Sequence, residues 1–149
     1  MPYKFLEHTA DIKILVEEKN LDEAFKTSAL ALKEVMSENS PVKGEKSRII
    51  SIEGDDIGDL LYNFLEEFIY LLDAERLLLS KIEDLEVNEL KEIKDGKEKK
   101  GFSLTATIIF GDAKRLKFSN KVKAITFNDM KISEDKKTKK CTIQFVLDV

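Results

Sequence analysis

Residues 54–72 read GDDIGDLLYNFLEEFIYLL. Ile57, Leu60, Leu61, Phe64, Leu65, Phe68, Leu71 and Leu72 recur at the i, i+3, i+4, i+7 spacing of a helix with one apolar stripe. Gly54-Asp55-Asp56 ahead of them supplies a turn and an acidic N-cap, and acids in a first turn face the positive end of the helix dipole. That capping accounts for Asp55, Asp56 and Asp59, which are therefore assigned no chemistry. A long helix with so wide an apolar stripe needs a layer to cover it, and the flanking sequence is expected to provide a sheet.

Working outward, residues 11–17 alternate, with Ile12, Ile14 and Val16 on one face and Asp11, Lys13 and Glu17 on the other, interrupted only by Leu15. This is expected to be a first strand. Asn20 and Glu23 form a plausible capping box, and Leu21, Ala24, Phe25, Ser28, Leu32, Val35 and Met36 keep helical spacing up to the breaker Ser40-Pro41. Residues 48–53 read as a short strand. Beyond Asp73 the pattern turns extended over residues 76–89, 102–110, 122–132 and 141–148. Residues 91–100 (KEIKDGKEKK) and 134–140 (EDKKTKK) are charged and rich in turn formers, so they read as hairpin connections. Two helices amid strands in consecutive runs predict an α+β fold: a two-layer sandwich, with an about six-stranded mixed sheet and both helices packed on one face.

The chain has 149 residues, 42% apolar and 36% charged, the range of one globular domain over residues 1–149. A chain of this size buries roughly two thirds of its unfolded surface and needs no staple. The single cysteine, Cys141, excludes an internal disulfide and fits a reducing cytoplasm. No 18-residue apolar run occurs, and Glu7, His8 and Asp11 break what would be a signal peptide's apolar core, so neither secretion nor a membrane partner is expected. Residues 1–88 carry 20 acids and 10 bases, and residues 89–149 carry 9 acids and 15 bases. Solvated faces explain that division adequately. Only three of the 25 bases are arginines (Arg48, Arg76, Arg115), which disfavours direct nucleic-acid reading through bidentate phosphate contacts.

The sequence contains no P-loop, G-x-G-x-x-G, H-E-x-x-H or G-x-S-x-G motif and no paired His/Cys, so most enzyme classes lose support. His8, the one histidine, cannot build a multi-histidine metal site. Oxygen chemistry remains. Asp11 begins the first strand and Asp148 ends the last, next to Val149. If those strands are antiparallel neighbours, Asp11 faces Asp148, and two carboxylates plus a main-chain oxygen of Val149 are what Ca²⁺, Mg²⁺ or Mn²⁺ accepts. The plainer account is that both aspartates cap strand ends in solvent. In residues 121–127, alternation places Lys121, Lys123 and Ile125 on one face and Val122, Ala124 and Thr126 on the other. Lys123 beside carboxylates is suited to a phosphate or an acidic partner, although edge-strand lysines also serve to prevent aggregation.

His8-Thr9-Ala10-Asp11, Val122-Lys123-Ala124-Ile125-Thr126 and Val146-Leu147-Asp148-Val149, in that order, resemble the motifs of the archease family, and the resemblance runs over essentially the whole chain. It implies a non-catalytic cytoplasmic protein of tRNA processing, an activator of the GTP- and metal-dependent RNA ligase that joins tRNA halves in splicing. Such an activator promotes guanylylation of the ligase's active-site histidine and multiple turnover. The resemblance also implies metal ligation by Asp11, Asp148 and Val149, with Ca²⁺ the first expectation and Mg²⁺ or Mn²⁺ next. It assigns ligase activation to Asp11, Lys123 and Asp148, and leaves His8 a motif residue of unassigned role. The ligase is the expected partner, with transient tRNA contact. The sequence departs from the family at Phe127-Asn128, where Tyr-His is usual, at Phe64, where a tryptophan is usual, and in a shortened segment before Lys121. A small metal-dependent hydrolase or phosphodiesterase, and an RNA-binding or chaperone module, are the alternative expectations.

Overall fold

The computed structural model describes residues 2–6, 11–37, 42–114 and 122–149. Among these residues the elements are β1 (Tyr3–Leu6), β2 (Asp11–Glu18), α1 (Leu21–Ser37), β3 (Lys46–Gly54), α2 (Ile57–Glu75), β4 (Leu77–Lys94), β5 (Lys97–Asp112), β6 (Ala124–Glu134) and β7 (Cys141–Asp148). They build two sheets, one of four strands in the order β1-β2-β7-β6 and one of three in the order β3-β5-β4.

The fold is α+β, an open sandwich of two helices and two antiparallel sheets. It differs in detail from the single, about six-stranded mixed sheet expected. A further strand, β1, precedes Asp11, and β2 and β7 are joined to β6 but not to the β3-β5-β4 group. Alternation along a strand reports which face is buried, not which neighbour the strand takes, so sheet membership was not written in the periodicity.

Both helices start where their caps predict. The Asn20 side-chain oxygen accepts from the Glu23 N–H at 2.8 Å, and that of Asp56 accepts from the Asp59 N–H at 2.7 Å. Asp59 in turn accepts from the Asp55 N–H at 2.9 Å, so the three acids that open α2 hold its first turn and the turn before it together. α2 is capped after Glu75 by Arg76, a left-handed residue (φ 55°) whose N–H donates to the Leu71 and Leu72 carbonyls. Arg76 therefore belongs to the helix terminus, and β4 begins one residue later than expected.

The stripe that decided the fold is buried: Leu60, Leu61, Phe64, Leu65, Phe68 and Leu72 are at most 1% exposed. Phe64 is central to it. Its ring stacks on Phe25 of α1 at 6.0 Å between centroids and meets Phe68 edge-on at 5.0 Å, and Phe68 continues to Phe110 of β5. This aromatic chain joins both helices to the three-stranded sheet. On the other sheet Ile14, Val16, Ile143, Phe145 and Leu147 face the same core. At the surface Arg48 of β3 grips Glu75 of α2 through two bonds of 3.2 and 2.7 Å. The hydrogen bond from Arg48 lowers the Glu75 carboxyl pKa.

The charged stretch of residues 91–100 is strand almost throughout. β4 runs to Lys94, β5 starts at Lys97, and only Asp95-Gly96 connects them, both at positive φ (55° and 74°). That Asp-Gly pair is the sequence's hairpin signal, and residues 91–93 and 97–100 on either side of it are exposed. The second charged stretch does form a connection. The Asp135 side chain accepts from the N–H groups of Thr138 and Lys137, which lower its carboxyl pKa.

Candidate functional site

β2 and β7 are antiparallel neighbours, and their register sets Asp11 opposite Asp148 and Ile12 opposite Leu147. β6 lies on the other side of β7, with Ala124 opposite Asp148. The Lys123 N–H donates to the Asp148 carbonyl at 2.8 Å. Asp148 is thus the residue at which the ends of three strands meet, and the registers bring together Asp11, Lys123 and Asp148, which lie far apart in sequence. Val149 follows directly and packs its side chain against the core, which fixes the chain beside the two aspartates.

Directly opposed residues of an antiparallel pair have Cβ atoms about 5 Å apart and project to the same face. Ile12, Ile14 and Val16 turn to the core, so Asp11 and Asp148 share the opposite face, as the alternation predicts. Asp148 and Lys123 are exposed, and Asp11 is half-buried. Among the described residues the donors at this end are oxygens: the two carboxylates, the Asp148 carbonyl, which accepts from the Lys123 N–H, and the main chain of Val149. Such a set suits a hard divalent cation. Among the described residues no group of three His, Cys, Asp or Glu side chains gathers in metal-binding geometry, so the two aspartates hold no third such partner there.

Lys123 departs from the alternation expected. Val122 and Ile125 are both buried while Lys123 and Ala124 are exposed, so burial does not follow the two-residue alternation here. Regular strand begins only at Ala124, so the strand alternation does not extend to Val122 and Lys123. Lys121 and His8 lie outside the described residues.

Sequence reasoning did not find the bulge beside this site. Between Thr126 and Lys131 the ladder to β7 breaks, and Asp129 takes a positive φ of 58°. Its carbonyl accepts from the Gln144 amide at 2.9 Å, and its carboxylate lies 3.8 Å from the Lys13 ammonium. The bulge presents Phe127, 54% exposed, in a near-parallel stack on Tyr62 of α2 at 4.2 Å. The signal was Asn128-Asp129 within an otherwise strand-like run, since these types tolerate the left-handed conformation.

Fold and site together define a class: a small α+β open sandwich in which two aspartates and a lysine converge at the meeting ends of three strands. The chain belongs to the archease family, whose family model, described as Archease protein family, matches residues 3–149. It is 36% identical over 135 residues to the protein archease of Pyrococcus abyssi, covering 89% of this chain and 88% of that one. Against the protein archease of Sulfurisphaera tokodaii it is 33% identical over 150 residues, covering 99% and 98%. The solution structure of Methanobacterium thermoautotrophicum protein 1598 is similar to it over 99% of both chains, with a TM-score of 0.71 and 28% identity.

Proposed function

We propose that this protein activates the GTP- and metal-dependent RNA ligase of tRNA splicing, promoting guanylylation of the ligase's active-site histidine so that each ligase molecule turns over repeatedly. In this reading the protein is not an enzyme. It is a cytoplasmic one-domain cofactor of the ligase, and it meets tRNA only transiently. The observation that carries the reading is the double register that opposes Asp148 to both Asp11 and Ala124 and ties it to Lys123, in a chain of the archease family.

Each residue has a role that its place permits. Asp11 and Asp148 supply negative charge at an exposed sheet end, and Lys123 supplies one cation whose main chain is fixed to Asp148. A divalent ion, Ca²⁺ first and Mg²⁺ or Mn²⁺ next, would be held by the two carboxylates with the main-chain oxygen of Val149, supplying positive charge where the two anions otherwise oppose each other. Lys123 then contacts phosphate or an acidic ligase residue.

Formation of the ligase-guanylate intermediate tests this directly. With GTP, Mn²⁺ and the cognate ligase, the wild-type protein is expected to raise the yield of guanylylated ligase, and Asp148→Ala and Lys123→Ala are expected to abolish the gain. Equal stimulation by both variants would refute the assignment. Hydrolysis of a cyclic phosphodiester by this protein alone would favour the hydrolase reading.

A further inference from the structure

A second surface lies further along β6 from the carboxylate end. A groove of about 1070 Å³ runs between the N-terminus of α2, the middle of β4 and the β6 bulge. Among the described residues its apolar lining includes Ile57, Val87, Met130 and the exposed Phe127, and its charged lining is Asp55, Asp56, Asp59, Glu89 and Glu134, with no lysine or arginine. Asp56 and Asp59 serve the α2 cap, yet their charge remains on the groove.

β4 and β6 are both outer strands of their sheets. Their edges differ. The β6 edge is interrupted by its bulge, whereas β4 holds an unbroken register with β5 from Asp84 to Lys94. The Val87 N–H donates to the Asp22 carboxylate at 3.1 Å rather than to β5, so it points outward. By the two-residue repeat of a strand, the main-chain groups of Glu89 and Lys91 point the same way. An outward row of strand donors and acceptors beside an apolar groove is the arrangement that accepts an added strand.

We propose that this groove docks an extended, basic segment of a partner protein, which adds as a strand along β4 beyond Val87. Its basic side chains lie against Asp55, Glu89 and Glu134, and an apolar side chain sits between Phe127 and Met130. The uniformly acidic lining selects the occupant: it repels the phosphates of RNA and favours lysine or arginine, one of which can also rest on the exposed Phe127 ring. The inference concerns binding alone and is independent of the ligase reading.

The probe is a short fluorescein-labelled peptide of alternating Arg and Val, followed by fluorescence anisotropy, with alternating Glu and Val and with oligouridylate as comparisons. The basic peptide is expected to bind and to weaken as NaCl rises from about 0.05 to about 0.3 M. It should lose about tenfold or more in affinity against Glu89→Lys/Glu134→Lys. N-methylation of alternate residues on the strand-pairing edge of the peptide should abolish binding, and backbone amide shifts should concentrate at residues 87–91 and 127–134. Glu89 and Glu134 are exposed, so the double variant should keep the wild-type melting temperature, and Phe127→Ala provides a second variant without charge change. Absence of binding, equal binding to the double variant, shifts outside the groove, or equal binding of the acidic peptide or the RNA would overturn the proposal.

Discussion

Asp148 is held from two sides, facing Asp11 on one strand and bonded through its carbonyl to Lys123 on the other. Opposed like charges are destabilising, and an ion that binds the folded state alone stabilises it by mass action. Added Ca²⁺ is therefore expected to raise the melting temperature of the wild type and leave Asp148→Asn unmoved; calorimetric scans with and without the ion check it. Phe64 carries the aromatic chain between the layers and is wholly buried, so Phe64→Ala should cost about 3–5 kcal/mol in urea unfolding. Cys141 is buried, and burial, with Glu134 adding to it, pushes its thiol up to about 11 from an ordinary 9.0. The sign follows: below pH 9 the thiol is neutral whether folded or unfolded, and between 9 and 11 only the unfolded chain ionises. Stability should fall across that window, with a shallower slope in Cys141→Ala.

At the scale of elements, the turn chemistry makes specific demands. Gly54 ends β3 where α2 begins, and a Cβ there would lie 2.5 Å from the Leu60 nitrogen and 2.7 Å from its Cα. Gly54→Ala should destabilise by about 1–3 kcal/mol, because the obstacle is backbone and cannot rotate away. Gly96 meets nothing within 4 Å, yet its φ of 74° penalises any β-branched replacement. Gly96→Val should therefore loosen the β4-β5 ribbon, seen as faster amide exchange at residues 90–101, with little change in global stability. These elements also mark what the sequence made legible. Both helices and their caps were plain, because a capping side chain and an apolar stripe are local signals. The reach of β4 and β5 through residues 91–100 was not, since a ribbon exposed on both faces loses the apolar alternation that reveals a strand. β1 was missed for a related reason: four residues with no fully buried position give no period to read.

At the scale of the molecule, the candidate site was legible because it depends on one topological condition, that the strands of Asp11 and Asp148 be antiparallel neighbours, and the register satisfies it residue for residue. The division into two sheets was not legible, because it depends on which strand edges pair across the fold. The acidic groove is lined from both sheets, by β4 and β5 of one and β6 of the other, together with the turn into α2 and the first turn of that helix. The site and the groove thus occupy different stretches of β6, one at Ala124 and the other from Phe127 to Glu134. The proposed activation of the ligase rests on the end of the sheet that carries Asp11, Lys123 and Asp148. The most direct measurement is multiple-turnover RNA joining by the cognate ligase with GTP and Mn²⁺, with this protein added in substoichiometric amounts as wild type and as Asp148→Ala. The wild type is expected to lift ligation well beyond one turnover per ligase, while Asp148→Ala, melting without added ion no lower than the wild type, is not. Full stimulation by Asp148→Ala would contradict it.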